Sequence, residues 1–341
     1  MKRVLIVLGL LLCLTVGLSA QTLDYATFAD AFQDFAAEVA NTLPATAGVA
    51  GLSWSPAYIG QFPHFGVGVS LGASTIPYDF VDPLITQLGV TLPSEFEYLE
   101  QWGLPIPAAA LDARVGGFLF PFDVGFKIGF VPDKLREKLG KVNLDYMLVG
   151  GDVRIPLLKD RGLVPALSVS GGYTFMRGNV GIPDIVDTGP YVIDTLPGPL
   201  AGETITVTAP ELAFTWQTQS FVAKLQASKN LFIFTPHLGL GAAYGISDAG
   251  GGLSSTVTYS GGDINDPATV EQIETALAAA GLPVPDLDGE SILVSADANG
   301  YSFWIYGGTA INILIVKVDL SAMYNIVNGG YGASVNVRVQ L

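Results

Sequence analysis

The chain has 341 residues, with 31 acidic against 16 basic side chains and a formal charge of −15, so it lacks the basic patch that a nucleic-acid partner requires. Half the residues are hydrophobic, 14% are charged and the mean hydropathy is +0.46, yet past residue 20 no apolar run approaches the roughly 20 residues of a membrane-crossing helix. Cys13 is the only cysteine, which excludes disulfides and cysteine metal sites from the chain beyond its N-terminal segment. High apolar content without a spanning helix leaves two solutions: a large water-soluble core, or strands that turn alternate residues to lipid. The 41 glycines favour strands and turns over helix.

In chain order, Lys2-Arg3, the apolar run Val4–Leu18 and the small-residue exit Ser19-Ala20 read as a secretory signal peptide, cleaved after residue 20. The expected plan is signal peptide 1–20, helical plug segment 21–60 and barrel 61–341. Over 24–43, Phe28, Phe32, Phe35, Val39 and Leu43 recur at helical spacing and predict an amphipathic helix ended by Pro44. Preceding the first strand, this helix either fills a lumen or sits on the periplasmic side.

Strands come next. Phe65, Val67, Val69 and Leu71 alternate with Gly66, Gly68 and Ser70; Leu111, Ala113 and Val115 alternate with Asp112 and Arg114. Phe122, Val124, Phe126, Ile128 and Phe130 alternate with Asp123, Gly125, Lys127 and Gly129. In 142–155 the apolar face reads Val142, Leu144, Tyr146 and Leu148, then moves to Val153 and Ile155, which predicts a bulge at Gly150-Gly151. Further strands are expected at 163–175, 211–226, 231–245, 301–312, 316–326 and 331–341. In the last, Tyr331, Ala333, Val335, Val337, Val339 and Leu341 alternate with small and polar residues. It resembles the closing strand of outer-membrane barrels, with Leu341 where an aromatic is usual. That resemblance implies the outer membrane of a diderm bacterium, membrane lipid as solvent and the barrel-assembly machinery as a partner.

The fold class predicted is all-β: an antiparallel transmembrane barrel of about 10–14 strands, with an N-terminal helix and short helices in the outer loops. Connection lengths agree. With the C-terminus inside, short connections at 120–121, 156–162, 227–230 and 313–315 fall on one side, and the long ones at 74–110, 131–141, 176–210 and 246–300 fall on the other, together with the short hairpin at 327–330. Ten strands result; pairing Ser254–Tyr259 with Ser291–Ala296 would make twelve. Residues 75–110, 178–210 and 247–299 hold 18 of the 31 acids and no Lys or Arg. In the first of these loops Phe80, Leu84, Phe96, Leu99 and Trp102 are apolar at helix-like spacing, with Ser94 as a candidate N-cap, and form the expected outer capture surface.

The candidate chemistry is sparse. A serine hydrolase needs a histidine beside its nucleophile. Beyond the signal only His64 and His237 are available, both predicted to face the lumen, and no Gly-x-Ser-x-Gly elbow occurs. No enzyme and no cofactor are expected. Glycine strings at 66–72 and 239–245 lack phosphate-binding spacing and read as small lumen residues. Asp263, Asn265, Asp266, Asp286 and Asp288 concentrate oxygen ligands without completing a calcium loop. Asp112, Arg114, Asp123, Lys127, Asp145, Arg154, His64 and His237 are the expected lumen lining, either paired to seal the barrel or lining a solute path.

Gly51-Leu52-Ser53-Trp54-Ser55-Pro56-Ala57, placed between the N-terminal helix and the first strand, resembles the hatch of FadL-type hydrophobic-compound transporters. Their hatch carries Asn-Pro-Ala; Ser55 stands here in place of the Asn. The resemblance implies a plug built from Phe28, Phe32, Phe35, Ser55, Pro56 and Ala57 that gates passage, and outer loops that capture an apolar ligand. The leading expectation is therefore passive uptake of a small hydrophobic or amphipathic solute. A sealed structural or adhesion barrel with acidic loops is the alternative.

Overall fold

The computed structural model describes residues 25–58, 62, 64–87, 98–117, 121–136, 143–182, 191–193, 200, 202–207, 211–254, 257–262, 266–279 and 292–341. The expected signal peptide 1–20, Ser94, Phe96, Asp263, Asn265, Asp286, Asp288 and the side chain of Phe28 lie outside this set.

Ten strands form one closed antiparallel barrel. In chain order they are β1 (His64–Ile76), β2 (Leu104–Gly116), β3 (Asp123–Phe130), β4 (Asn143–Leu158), β5 (Ala166–Ile182), β8 (Glu211–Ser228), β9 (Phe234–Ser254), β11 (Ile292–Ile313), β12 (Val316–Asn325) and β13 (Tyr331–Gln340). The closure is β1 on β13, with Val67 opposite Val339 and Gly68 opposite Arg338. The remaining strands, β6 (Tyr191–Ile193), β7 (Ile205–Val207) and β10 (Val257–Tyr259), form a separate three-stranded sheet among the long connections. The helices are α1 (Tyr25–Val49), α2 (Asp82–Gln87), α3 (Tyr98–Trp102), α4 (Asp133–Arg136) and α5 (Pro267–Ala279).

The twelve-strand option fails for a physical reason. β9 and β11 keep pairing beyond the others, up to Leu253 opposite Ile292, so 254 and 292 end one long hairpin. Val257–Tyr259 pairs with β7 instead. β12 and β13 have 10 residues each, matching the roughly 9–11 that cross hydrocarbon, whereas β9 has 21 and β11 has 22 and stand well above it.

The barrel is inside-out relative to a water-soluble protein. Along β13, Val335, Val337 and Val339 are exposed while Ser334, Asn336, Arg338 and Gln340 are buried. β1 and β3 repeat this, with Phe65, Val67, Phe126 and Phe130 outside and Ser70, Asp123 and His64 inside. Such a surface is unfavourable in water and favourable in lipid, and a closed barrel leaves no unpaired strand edge there. Towards the long loops the outer face carries aromatics. Tyr173 meets Phe221 at 5.2 Å, Tyr244 meets Tyr301 at 5.1 Å, and Tyr331 meets Tyr324 at 5.4 Å and Trp102 at 5.2 Å. This row is the girdle expected at a membrane interface. At the other end the turn tips Leu163, Phe232 and Leu314 are fully exposed, which carries the apolar surface to the inner rim. Among the described residues no helix is long and apolar enough to cross a membrane, so crossing is by strands.

Three further expectations are corrected. β4 has no bulge at Gly150-Gly151, since it pairs without interruption with β5 from Asn143 to Pro156. Tyr146 and Leu148 point inward, on the same face as Asp152 and Arg154, and Leu148 is wholly buried against the plug cluster. The apparent change of face arises because the lumen itself is apolar at its upper level, where a helix fills it. Asp145 consequently faces out, 73% exposed and bonded to Arg136 at 2.7 Å, and does not line the lumen. Nor does Pro44 end α1, which continues to Val49. Proline deletes one backbone hydrogen bond in a helix. Here burial on every side holds the turn, with Leu43, Ala45, Ala47 and Val49 all at 0% exposure.

Candidate functional site

The lumen is occupied by α1 and the segment 50–57. Phe32, Ala36, Val39 and Leu43 are buried on α1, and Leu52, Ser53, Trp54, Ser55 and Ala57 are buried after it. The wall makes room through small residues. A side chain at Gly245 would collide with the Pro44 ring, and one at Gly72 would collide with Val49. Gly239 and Gly241 likewise admit Tyr306 and Trp304. The glycine strings of β1 and β9 are thus a mould for the plug and the bulky residues around it.

Towards its lower end the plug is held by cations. A helix C-terminus leaves carbonyl oxygens without partners and carries the negative end of the dipole, so cations belong there. Lys127 donates to the carbonyls of Ala47 (2.8 Å) and Ala50 (3.1 Å), and Lys224 donates to those of Gly51 and Leu52 at 3.0 Å each. Arg154 donates to Trp54 (2.6 Å) and Pro56 (3.1 Å), and Arg338 to Ser55. The Trp54 ring lies 4.4 Å from the Arg338 guanidinium and 5.4 Å from that of Arg114. Seven carbonyls are thereby tied to four wall cations. Hydrogen bonds to charged groups contribute roughly 1.5–3 kcal/mol each.

Acids on the wall orient those cations. Asp123 accepts from both Arg114 and Arg154, and Arg114 also bonds Asp152 at 2.8 and 2.6 Å. Asp319 accepts from Arg338 at 2.6 Å and from the Ser55 amide at 3.0 Å. Asp112 accepts from Ser70 (2.8 Å) and Asn336 (2.6 Å). The predicted lining residues Asp112, Arg114, Asp123, Lys127, Arg154, His64 and His237 all lie inside, with Asp145 the exception. Sequence reading missed Lys224, Asp152, Asp319, Arg338 and Ser321 as plug partners. Their signal was available: each occupies an inward position of its strand's alternation.

One constellation has the residue types of a nucleophilic site. Ser321 Oγ is 2.9 Å from His237 Nε2, and His237 Nδ1 is 3.1 Å from Ser55 Oγ and 3.7 Å from Asp319 Oδ1. Ser321 also bonds Ser53 at 2.9 Å. Plug residues fill the positions a substrate would need, and all these side chains are at most 7% exposed. The trio joins the plug to β9 and β12.

Between the plug and the wall a cavity of about 50 Å³ is lined by Asp112, Arg114, Lys127, Asp152 and Lys224. It has room for a few water molecules and none for an organic solute. At the outer mouth a larger cavity of about 410 Å³ is bordered by Glu38, Asn41, Pro44, Phe80, Tyr301 and Asn328. Of the outer-loop apolar residues, Phe80 borders this cavity. Leu84 and Leu99 do not: they are 9% and 0% exposed, packed within the loop, while Trp102 joins the girdle. Asp266 spends its carboxylate on the start of α5, accepting from Ala268 N at 3.1 Å, as an N-cap does before Pro267. Among the described residues no group of three His, Cys, Asp or Glu side chains could hold a metal ion.

No family model and no curated protein matches the sequence. Solved structures give weak likenesses. The translocator domain of the autotransporter NalP from Neisseria meningitidis aligns at 9% identity and TM-score 0.35, over 92% of this chain and 98% of that one. The transport unit of the autotransporter AIDA-I from Escherichia coli aligns at 10% identity and TM-score 0.28, over 91% and 99%. The CymD monoaromatic hydrocarbon channel aligns at 9% identity and TM-score 0.21, over 86% and 92%. Likenesses at these scores carry no functional weight.

Proposed function

We propose that this chain resides in a bacterial outer membrane and passes a small hydrophobic or amphipathic solute inward when its N-terminal plug shifts. The observation that carries this reading is the division of labour inside the barrel. A small barrel normally fills its interior with its own side chains. Here Gly72 and Gly245 leave the wall thin, and Val49 and Pro44 of a separate chain segment fill the space. Its lower end is tied by hydrogen bonds to carbonyls, which a shift can exchange one by one. The 410 Å³ cavity at the mouth, bordered by the plug, is where a solute would first be held.

The 50 Å³ interior cavity is also what a permanently sealed scaffold with acidic surface loops would have. Planar-bilayer conductance separates the two. Full-length protein should be closed with rare openings, and protein lacking residues 25–58 should conduct steadily. A deleted protein that folds, as heat-modifiable gel migration reports, and still does not conduct contradicts passage.

A further inference from the structure

The outer-mouth cavity has a chemical preference. Its carboxylate, Glu38, is 7% exposed and accepts from Asn328 Nδ2 at 3.0 Å and Thr42 Oγ1 at 3.4 Å. Among the described residues no Lys, Arg or His lies within ion-pair distance of it. In the lumen, Asp123, Asp152 and Asp319 each sit against an arginine, whereas Asp112, like Glu38, is held by a hydroxyl and an amide. Buried carboxylates are normally matched by a cation because desolvating a lone charge is costly. Burial accordingly pushes the Glu38 carboxyl above its ordinary range. Glu38 differs from the lumen acids in bordering a cavity of about 410 Å³, within the usual volume of a small-molecule site.

The rest of the lining fits one class of ligand. Asn41, Asn325 and Asn328 add polar groups beside Glu38, while Pro44, Phe80 and Ala298 offer an apolar wall. Of the long connections between strands at this end, 75–110, 178–210 and 247–299 carry 18 acids and no Lys or Arg, against four basic residues in 131–141, an excess of negative charge that attracts cations and repels anions. We infer that this cavity binds an amphipathic molecule with a protonated amine, its ammonium on Glu38 and its hydrocarbon part against Pro44, Phe80 and Ala298. This rests on the uptake reading and names its solute class.

Octylamine, octanol and octanoate are the probes, titrated against full-length protein in lipid nanodiscs with protein-free discs subtracted. Octylamine should bind at least about tenfold more tightly than octanol, and octanoate more weakly than either. Glu38→Gln should abolish the preference for the amine while retaining octanol binding. Gly300→Leu fills the cavity from a position where a new Cβ meets nothing within 4 Å, and should weaken both ligands about tenfold or more. Equal affinity for the three probes, or an amine preference that survives Glu38→Gln, overturns the proposal. Binding is read without transport: a closed, non-conducting barrel that prefers the amine would refute uptake and keep the site, and a conducting one without preference would do the reverse.

Discussion

The guanidinium of Arg338 stacks over Trp54 at 4.4 Å while its Nη1 bonds Asp319 at 2.6 Å, so one side chain of the closing strand joins the plug to the wall. Removing one member of a buried ion pair strands the other, at roughly 3–5 kcal/mol. Arg338→Met should therefore lower the unfolding free energy in lipid by about that much. Arg338→Met combined with Asp319→Asn should recover a large part of the loss. Equal destabilisation by the single and double variants in denaturant titrations would contradict the pairing.

Lys127 and Lys224 hold the carbonyls at the end of α1 and just beyond it. Replacing both with Met keeps much of the stem volume and removes the donors. The expected result is a plug that leaves its seat more often, seen as more frequent conductance openings and as labelling of a cysteine placed at Ser53. The barrel itself should stay folded, because neither lysine bridges two strands.

The mould can be tested by filling it. Gly245→Val puts methyl groups where the Pro44 ring lies. Overpacking typically costs 1–3 kcal/mol. Here the plug can move away, so the signature expected is raised conductance with nearly unchanged heat-modifiable migration. Gly171→Val, where a new Cβ meets only the Val222 carbonyl at 4.0 Å, serves as the control.

Much of this was legible in the residues. Strict alternation in 331–341 and 122–130 gave the outward apolar face, and the strand pattern predicted about 10–14 strands, of which ten close the barrel. The seating of the plug was not legible, because it depends on distant positions such as Lys224 and Gly51, 173 residues apart, meeting inside a closed wall. β4 was misread for a related reason. Period-two reasoning assumes a polar lumen, whereas Tyr146 and Leu148 face an apolar helix. Glu38 escaped notice because an acid on a helix ordinarily faces water, and only the barrel around α1 makes it buried.

At the inner rim Asp160 accepts from Lys229 and from the Asn230 amide at 2.8 Å, linking two neighbouring turns. The Lys229 bond, then the Asn230 amide, hold its pKa below the ordinary value. A lowered folded-state pKa means that the link stabilises above the unfolded value, about 3.9, and is lost as pH falls through the folded one. The difference in unfolding midpoint between the natural protein and Asp160→Asn should stay constant from about pH 8 to 5 and shrink as pH falls below the unfolded value. A difference that grows on acidification would contradict the assignment. Its size should be small, since the pair lies near the surface.

Spin labels placed singly at positions 335 to 340, in protein reconstituted into bilayers, test the account most directly. Labels at Val335, Val337 and Val339 should be accessible to oxygen dissolved in lipid and shielded from a water-soluble nickel reagent. Labels at Asn336, Arg338 and Gln340 should be shielded from both by the seated plug. Loss of the two-residue period, or nickel access at the valine positions, would contradict a plugged barrel in lipid.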